Sequence, residues 1–348
     1  MFTDDGSVDS GMLLKFSHRS TSLLSTRRMS LLKSLFFVAL CLAGLMAQRR
    51  HQRSKRRVPY GPGTVALITG ASAGIGEQIA LQLAAKKCDL LILVSRTESK
   101  LRAVAEKCEK LGSRCVVLAA DISSDASLEQ LEKDVRQIVL SEMQTKLSLL
   151  VLNAGRGAIS PFDSTPETLR IARDMMDMNY FSNVKMLQLF VPYLESNQFK
   201  PRQRPDGGDV LVVGSVAGVL PSAHRSAYCA SKHALQGFCN ALRQEVSSKG
   251  VHITMACPSF VLTEFHDKVL TASGEPVKRK GHSSFMTPSR CAAISIDAAE
   301  HRDYEAIMTL TAWAGYHFRP FLPTLVDAIA RKKALGTLDD GDSKRKSA

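Results

Sequence analysis

The sequence has no Cys-x-x-Cys pair, no nucleic-acid-binding signature and no uninterrupted apolar run of full bilayer length. The first absence leaves neither a thiolate zinc cluster nor a redox dithiol signalled. The eight cysteines sit mostly inside apolar stretches, which reads as buried free thiols in a reducing compartment; an even count leaves disulfides open. Acidic residues are the scarcer charge, 33 against 46 Lys and Arg, and the net charge is +13. That excess is local: residues 1–57 hold eleven Lys or Arg against three Asp, so eight of the thirteen charges lie there and the remaining chain is only mildly basic. No compact basic groove is needed to explain the charge, and nucleic acid is not expected as a partner. With 348 residues and 45% hydrophobic composition, the chain is long and apolar enough for one large α/β domain or two modest ones, and disorder throughout is excluded.

The N-terminal apolar run covers only Leu35–Ala47, and reaches bilayer length if it extends back to Met29 with Lys33 snorkelling to the headgroups. Three readings compete: a membrane anchor, a cleaved signal peptide, and a peripheral or buried helix. The anchor is preferred because Leu45 and Ala47 make a poor small-x-small cleavage site before Gln48. The heavier basic flank, Arg49 to Arg57, is C-terminal, so the positive-inside rule places the downstream chain in the cytosol. Expected segments are a disordered stretch at 1–28, the anchor at 29–47 and a basic linker at 48–63.

From Thr64 the chain reads as a buried strand, Val65-Ala66-Leu67-Ile68, then Thr69-Gly70-Ala71-Ser72-Ala73-Gly74-Ile75-Gly76 and an amphipathic helix to about Lys86. Glycines in such a turn let the backbone approach a pyrophosphate, and the helix N-terminus supplies unpaired N–H groups for it. A tight βα turn needing glycine only for its own geometry is the alternative. The second strand, Leu90 to Val94, ends at Ser95-Arg96 with no acid where one would hold the ribose of NAD. Arg96 suits a 2′-phosphate, which favours NADP over NAD; a solvated strand-end arginine is the alternative.

Strands at Cys115–Ala119, Leu149–Leu152, Val210–Val213 and His252–Ala256 alternate with helices at Ser127–Leu140, Thr168–Leu194 and Ala227–Ser247. That alternation predicts a doubly wound parallel sheet, α/β, with ligands at the carboxyl ends of its strands. Asp121-Ile122, Asn153-Ala154-Gly155 and Ser215 stand at those ends. Tyr228 and Lys232 follow Ser215 by thirteen and seventeen residues and share a helix face at a spacing of four. A phenol is a poor acid or base near neutral pH unless a cation lowers its pKa; Lys232 could do so while Ser215 hydrogen-bonds a substrate oxygen. Taken alone, a Tyr-x-x-x-Lys spacing is as readily a chance pairing on a packed helix.

Thr69-Gly70-x-x-x-Gly74-x-Gly76, Asn153-Ala154-Gly155, Ser215 and Tyr228-x-x-x-Lys232, in that order, resemble the short-chain dehydrogenase/reductase family over Thr64 to His266. Arg225 to Ala234 and Leu242-Arg243-Gln244-Glu245 are most similar to its membrane-associated member 7 / 7B group. The resemblance implies a three-layer Rossmann domain at 64–310, a lid at about 258–288 and a C-terminal helical extension with a charged tail at 311–348. It implies Tyr228 as acid/base, Lys232 as its tuner and ribose ligand, Ser215 as carbonyl donor and Asn179 as anchor of a relay water. It assigns Asp121 to the adenine, Asn153 to bracing the cofactor pocket, and Pro258 and Thr263 to the nicotinamide carboxamide. The cofactor set is Thr69, Gly70, Ser72, Gly74, Ile75, Gly76, Ser95, Arg96, Asp121, Ile122, Asn153, Ala154, Gly155, Tyr228, Lys232, Pro258 and Thr263. One departure is Pro258-Ser259 where the family carries Pro-Gly, which predicts a stiffer or shifted loop. The expected activity is NADP(H)-dependent interconversion of a carbonyl and an alcohol on a hydrophobic, lipid-, steroid- or retinoid-like substrate at the endoplasmic reticulum membrane. A homodimer or tetramer is a further expectation, and no metal is expected. The alternative is a membrane-tethered NADPH-binding scaffold or sensor without turnover.

Overall fold

The computed structural model describes residues 53–142, 145–162, 166–195, 207–266, 269–271 and 285–336. The expected disordered stretch at 1–28, the anchor at 29–47, about half of the expected lid and the charged tail lie outside the described residues. Among those described, no helix is long and apolar enough to cross a membrane. The chain divides after Arg56, and residues from Arg57 onward form one compact unit.

Seven parallel strands make one sheet in the order β3-β2-β1-β4-β5-β6-β7. They are β1 (Val65–Thr69), β2 (Leu90–Ser95), β3 (Arg114–Ala119), β4 (Leu149–Leu152), β5 (Asp209–Val213), β6 (His252–Cys257) and β7 (Glu305–Ile307). Alternation along each strand divides the core between two faces. Val65 and Leu67 of β1 point to one face, with Leu131 of α3 (Asp125–Arg136) and Leu235 of α6 (Ser226–Val246). Ala66 and Ile68 point to the other, with Ile79 of α1 (Gly74–Ala85), Leu101 of α2 (Glu98–Lys110) and Ile296 of α7 (Pro288–Glu300). Because both faces are covered, the strands read as continuous Val, Ile and Leu runs rather than alternating ones. The order reverses between β1 and β4, the position at which such sheets open a crevice at their carboxyl ends.

The boundaries differ from expectation in informative places. The helix expected across 168–194 is α4 (Pro166–Met176), a π-helical turn (Asp177–Phe181), α5 (Ser182–Phe190) and a short 3₁₀ turn. The stretch after Trp313 is two helices, α8 (Leu310–Phe318) and α9 (Pro323–Leu335), separated where Pro323 starts a new first turn. Entry to the domain is clamped by Glu300, which accepts from Lys86 at 2.7 Å, Arg57 at 3.0 Å and the Tyr60 amide at 3.1 Å. Burial pushes its carboxyl upward, but those three donors outweigh it and hold the group below its ordinary value. The seven described cysteines are all free, as the sequence suggested.

Candidate active site

The glycine turn is built by β1 and β4 together. Thr69 Oγ1 donates to Val151 O at 3.1 Å and accepts from the amides of Asn153 at 3.0 Å and Ala154 at 3.1 Å. Asn153 Nδ2 returns two bonds, to Thr69 O at 3.0 Å and Gly70 O at 3.1 Å. Gly70 and Gly74 take φ of +65° and +62°, conformations that side chains resist. Ala73 caps α1 without any side-chain hydrogen bond, so the first-turn amides stay available to an anion. A Cβ on Gly76 would stand 2.3 Å from Gly70 O, which shows how tightly helix and turn are seated. These features fit a pyrophosphate.

A cavity of about 650 Å³ runs from this turn along the carboxyl edge of the sheet. Gly70, Gly74, Ile75, Arg96, Asn153, Ala154, Gly155, Ser215, Tyr228, Lys232, Pro258 and Thr263 all line it, so the structure brings together most of the residues singled out by sequence. Thr69, Gly76 and Asn179 stand behind the wall and brace it, whereas Ser72, Ser95, Asp121 and Ile122 lie off the cavity. Asp121 accepts from Ser123 N at 3.0 Å and Ser123 Oγ at 2.7 Å. Burial raises its pKa, but Ser123 and the charges of Arg96 and Arg156 outweigh burial and leave the carboxyl below its ordinary value. Ser259 has no left-handed backbone, and Pro258 O accepts from Val216 N at 2.9 Å, so this loop does not require the family glycine.

Tyr228, Ser215 and Lys232 meet at the cavity floor. Tyr228 is 7% exposed, and the Ser215 side chain stands close enough to act on its phenol. Ser215 caps the 3₁₀ turn Val216–Gly218, its Oγ accepting from Ala217 N at 3.1 Å, which fixes where the hydroxyl points. Lys232 Nζ donates to Val213 O at 3.3 Å and lies 6.0 Å from the centre of the Tyr228 ring. Burial pushes the phenol above its ordinary value, and the opposing influences are the Ser215 side chain and the Arg225 charge. The expected lowering of the phenol by Lys232 therefore does not appear in this geometry. Burial instead pulls Lys232 itself down to about 8.

That shift has a stability consequence. Between about pH 8 and the ordinary lysine value the unfolded chain binds a proton that the folded chain does not, so this group makes stability rise with pH there; below about 8 its full destabilisation is present. Lys232→Met keeps the volume and removes the buried charge. We expect it to raise unfolding free energy at pH 7 by about 2 kcal/mol, after allowing for the lost bond to Val213, with the gain shrinking at pH 10. Urea melts at the two pH values check this; a loss of stability at pH 7 would refute it.

Asn179 sits in the π-helical turn, a local widening that often marks functional positions. Its Oδ1 accepts from Arg156 N at 2.8 Å, and its Nδ2 donates to Arg156 O at 2.9 Å and Ser231 Oγ at 3.0 Å. Ser231 Oγ donates onward to Tyr228 O at 2.8 Å, so one asparagine ties the loop after β4 to the helix bearing the catalytic pair. Sequence reasoning missed Ser231, although its place inside the Tyr-x-x-x-Lys run was a signal. It also missed Phe265, whose ring lies 6.3 Å from that of Tyr228, and the wall formed by α8 and α9.

A parallel sheet with a glycine-cradled helix N-terminus and a buried Ser-Tyr-Lys cluster defines a nicotinamide-dependent oxidoreductase acting on alcohol or carbonyl groups. The chain belongs to the short-chain dehydrogenase family, whose model matches residues 64–273. It is 34% identical over 275 residues to a dehydrogenase/reductase SDR family protein 7-like of Dictyostelium discoideum, covering 78% of this chain and 81% of that one. Proteins of the same name in Anopheles gambiae and Drosophila melanogaster are each 27% identical. An 11-beta-hydroxysteroid dehydrogenase of Pinus massoniana is 31% identical over 285 residues, covering 78% of this chain and 75% of its own. Among solved structures, a short-chain dehydrogenase/reductase from Burkholderia phymatum in complex with NAD shares the fold at TM-score 0.63 and 21% identity, covering 76% of this chain and 96% of its own.

Proposed function

We propose that this protein is an NADP(H)-dependent oxidoreductase that interconverts a ketone or aldehyde and its alcohol on a hydrophobic substrate. The observation that carries the reading is the placement of Tyr228 and Ser215 at the floor of a cavity whose opposite wall is apolar, formed by Phe318, Leu322, Val326 and Ile329. A nicotinamide held along the glycine turn would supply hydride exchange with the substrate carbon. Ser215 orients the substrate oxygen. Tyr228, held protonated near neutral pH by its burial, gives that oxygen its proton as negative charge develops there. Lys232 would hold the nicotinamide ribose when the cofactor binds, and Asn179 keeps the helix of Tyr228 in register with the loop below it. Relatives named as hydroxysteroid dehydrogenases support a bulky apolar substrate class.

The NADP preference rests on Arg96 at the end of β2, with no acid beside it in sequence. Arg96→Gln should raise the KM for NADPH about tenfold or more, as expected when a charge-assisted phosphate contact is lost, with little change for NADH. Steady-state kinetics with both cofactors and a lipid-ketone panel test this; equal wild-type use of NADH would overturn the preference. We further propose attachment to the endoplasmic reticulum membrane through residues 29–47, the catalytic domain facing the cytosol, and assembly as a homodimer or tetramer. Exposed Leu310, Phe321, Leu325 and Ile329 on and between α8 and α9 support a membrane-facing substrate entrance.

A further inference from the structure

Arg225 caps α6 three residues ahead of Tyr228, so the two side chains leave the helix on the same side. The residue before it, His224, takes φ of +61°, a left-handed conformation rarely adopted outside glycine. That strained turn is held by the Ser160 amide, which donates to His224 O at 2.8 Å, and it delivers Arg225 inward. The guanidinium lies over the ring of Phe260, 5.3 Å from its centre, and lines the cavity beside Tyr228, Ser215 and Ser222. Its Nη2 is buried and has no hydrogen-bond partner among the described residues.

A guanidinium stays charged under all ordinary conditions, and a partly buried cation with an unmade hydrogen bond is destabilising. The contact with Phe260 offsets part of that, and burial works against the charge. A water could take the free donor, but would leave the charge uncompensated. A fold that keeps an uncompensated cation beside its reacting groups, at a strained turn, has a use for it there.

We propose that Arg225 is the anion-reading residue of the substrate site: it receives a carboxylate or phosphate that the substrate carries a few atoms from its carbonyl, while the alkyl part lies beneath α8 and α9. The position of the carbonyl rests on the function proposed above. The expected substrate is an amphiphile with an acidic head, a keto group next to the head and an apolar tail.

Two matched pairs test the idea on the full-length chain with NADPH: 4-oxododecanoate against its methyl ester, and 2-oxododecyl phosphate against its dimethyl ester. The first pair probes a carboxylate and the second a phosphate. In at least one pair, wild type should favour the anion in kcat/KM by roughly 30-fold or more, the size expected of a desolvated charge pair. That ratio should collapse toward one in Arg225→Gln and be partly restored in Arg225→Lys. No preference in either pair, or a preference that survives in R225Q, overturns the proposal. Calorimetric binding of the same four compounds separates it from the function: anion-selective binding lost in R225Q without any ketone reduction sinks only the function, and reduction without anion selectivity sinks only the role of Arg225.

Discussion

Tyr228→Phe should lower turnover by about a thousandfold and leave NADPH affinity within about threefold of wild type. A positioned acid or base contributes on the order of 10² to 10⁴ in rate, and this substitution removes only that group. The ring would keep its place, because it packs against Ala158, Ile171, Met175 and Ala217 and sits beside Phe265. Nothing in the glycine turn or at Arg96 touches the phenol oxygen, so cofactor binding has no reason to fail. Single-turnover reduction of a lipid ketone, with NADPH affinity followed by fluorescence titration, checks both halves. Activity above a tenth of wild type would remove Tyr228 from the proton transfer. A parallel loss of NADPH binding would make it a structural residue.

What was legible in the sequence was whatever is encoded over a few neighbouring residues. The strands are buried on both faces, so Leu67, Ile92 and Val212 fall in continuous apolar runs that announce themselves. The glycine turn and the Tyr228–Lys232 spacing are likewise local. The seventh strand, Glu305–Ile307, is three residues long and only partly buried at every position, so no periodicity marks it; it exists because β6 offers an edge for it. The π-helical turn was hidden for another reason: a single extra residue in a helix leaves composition and amphipathicity almost unchanged, and the wider turn shows only in the backbone hydrogen bonds.

The site shows the same division. Tyr228 and Lys232 could be paired from sequence because one helix carries both, but what sets the acidity of Tyr228 comes from elsewhere. Burial by surrounding elements raises its pKa, and the influences opposing that are Ser215, just past β5, and Arg225, from a turn set by the unusual backbone of His224. Lys232, the cation nearest in the motif, instead points to Val213 O. Spacing along a helix identifies which groups can share a face; the direction of a four-carbon side chain depends on which carbonyl it finds after folding. The apolar wall from α8 and α9 was equally unreadable, since aromatics, prolines and lysines in that stretch suit a packed helix or a membrane surface alike.

Gly76→Ala should abolish cofactor binding and destabilise the domain by about 2–4 kcal/mol. The added Cβ would stand 2.3 Å from Gly70 O, 2.5 Å from Asn153 Nδ2 and 2.9 Å from Gly70 C. Two of these are backbone atoms of a turn already in the left-handed region, so they cannot swing aside as a long side chain would. The third is the amide that donates to Thr69 O and Gly70 O, and moving it breaks the bonds joining β1 to β4. Overpacking of this kind costs about 1–3 kcal/mol, and each lost buried bond adds about 1 more. For a domain of this size the melting temperature should fall by roughly 5–15 °C. Cofactor affinity should suffer more than stability, because relief can come only by tilting the first turn of α1, and those amides are what meet the pyrophosphate. Gly237→Ala is the matched control: it lies inside α6 with nothing within 4 Å of its Cβ, and should raise stability by about 0.5–1 kcal/mol. Thermal melts of both variants with and without NADPH make the comparison. If G76A melts like wild type and is still stabilised by NADPH, the turn is looser than the structure describes, and the pyrophosphate must be held by other groups.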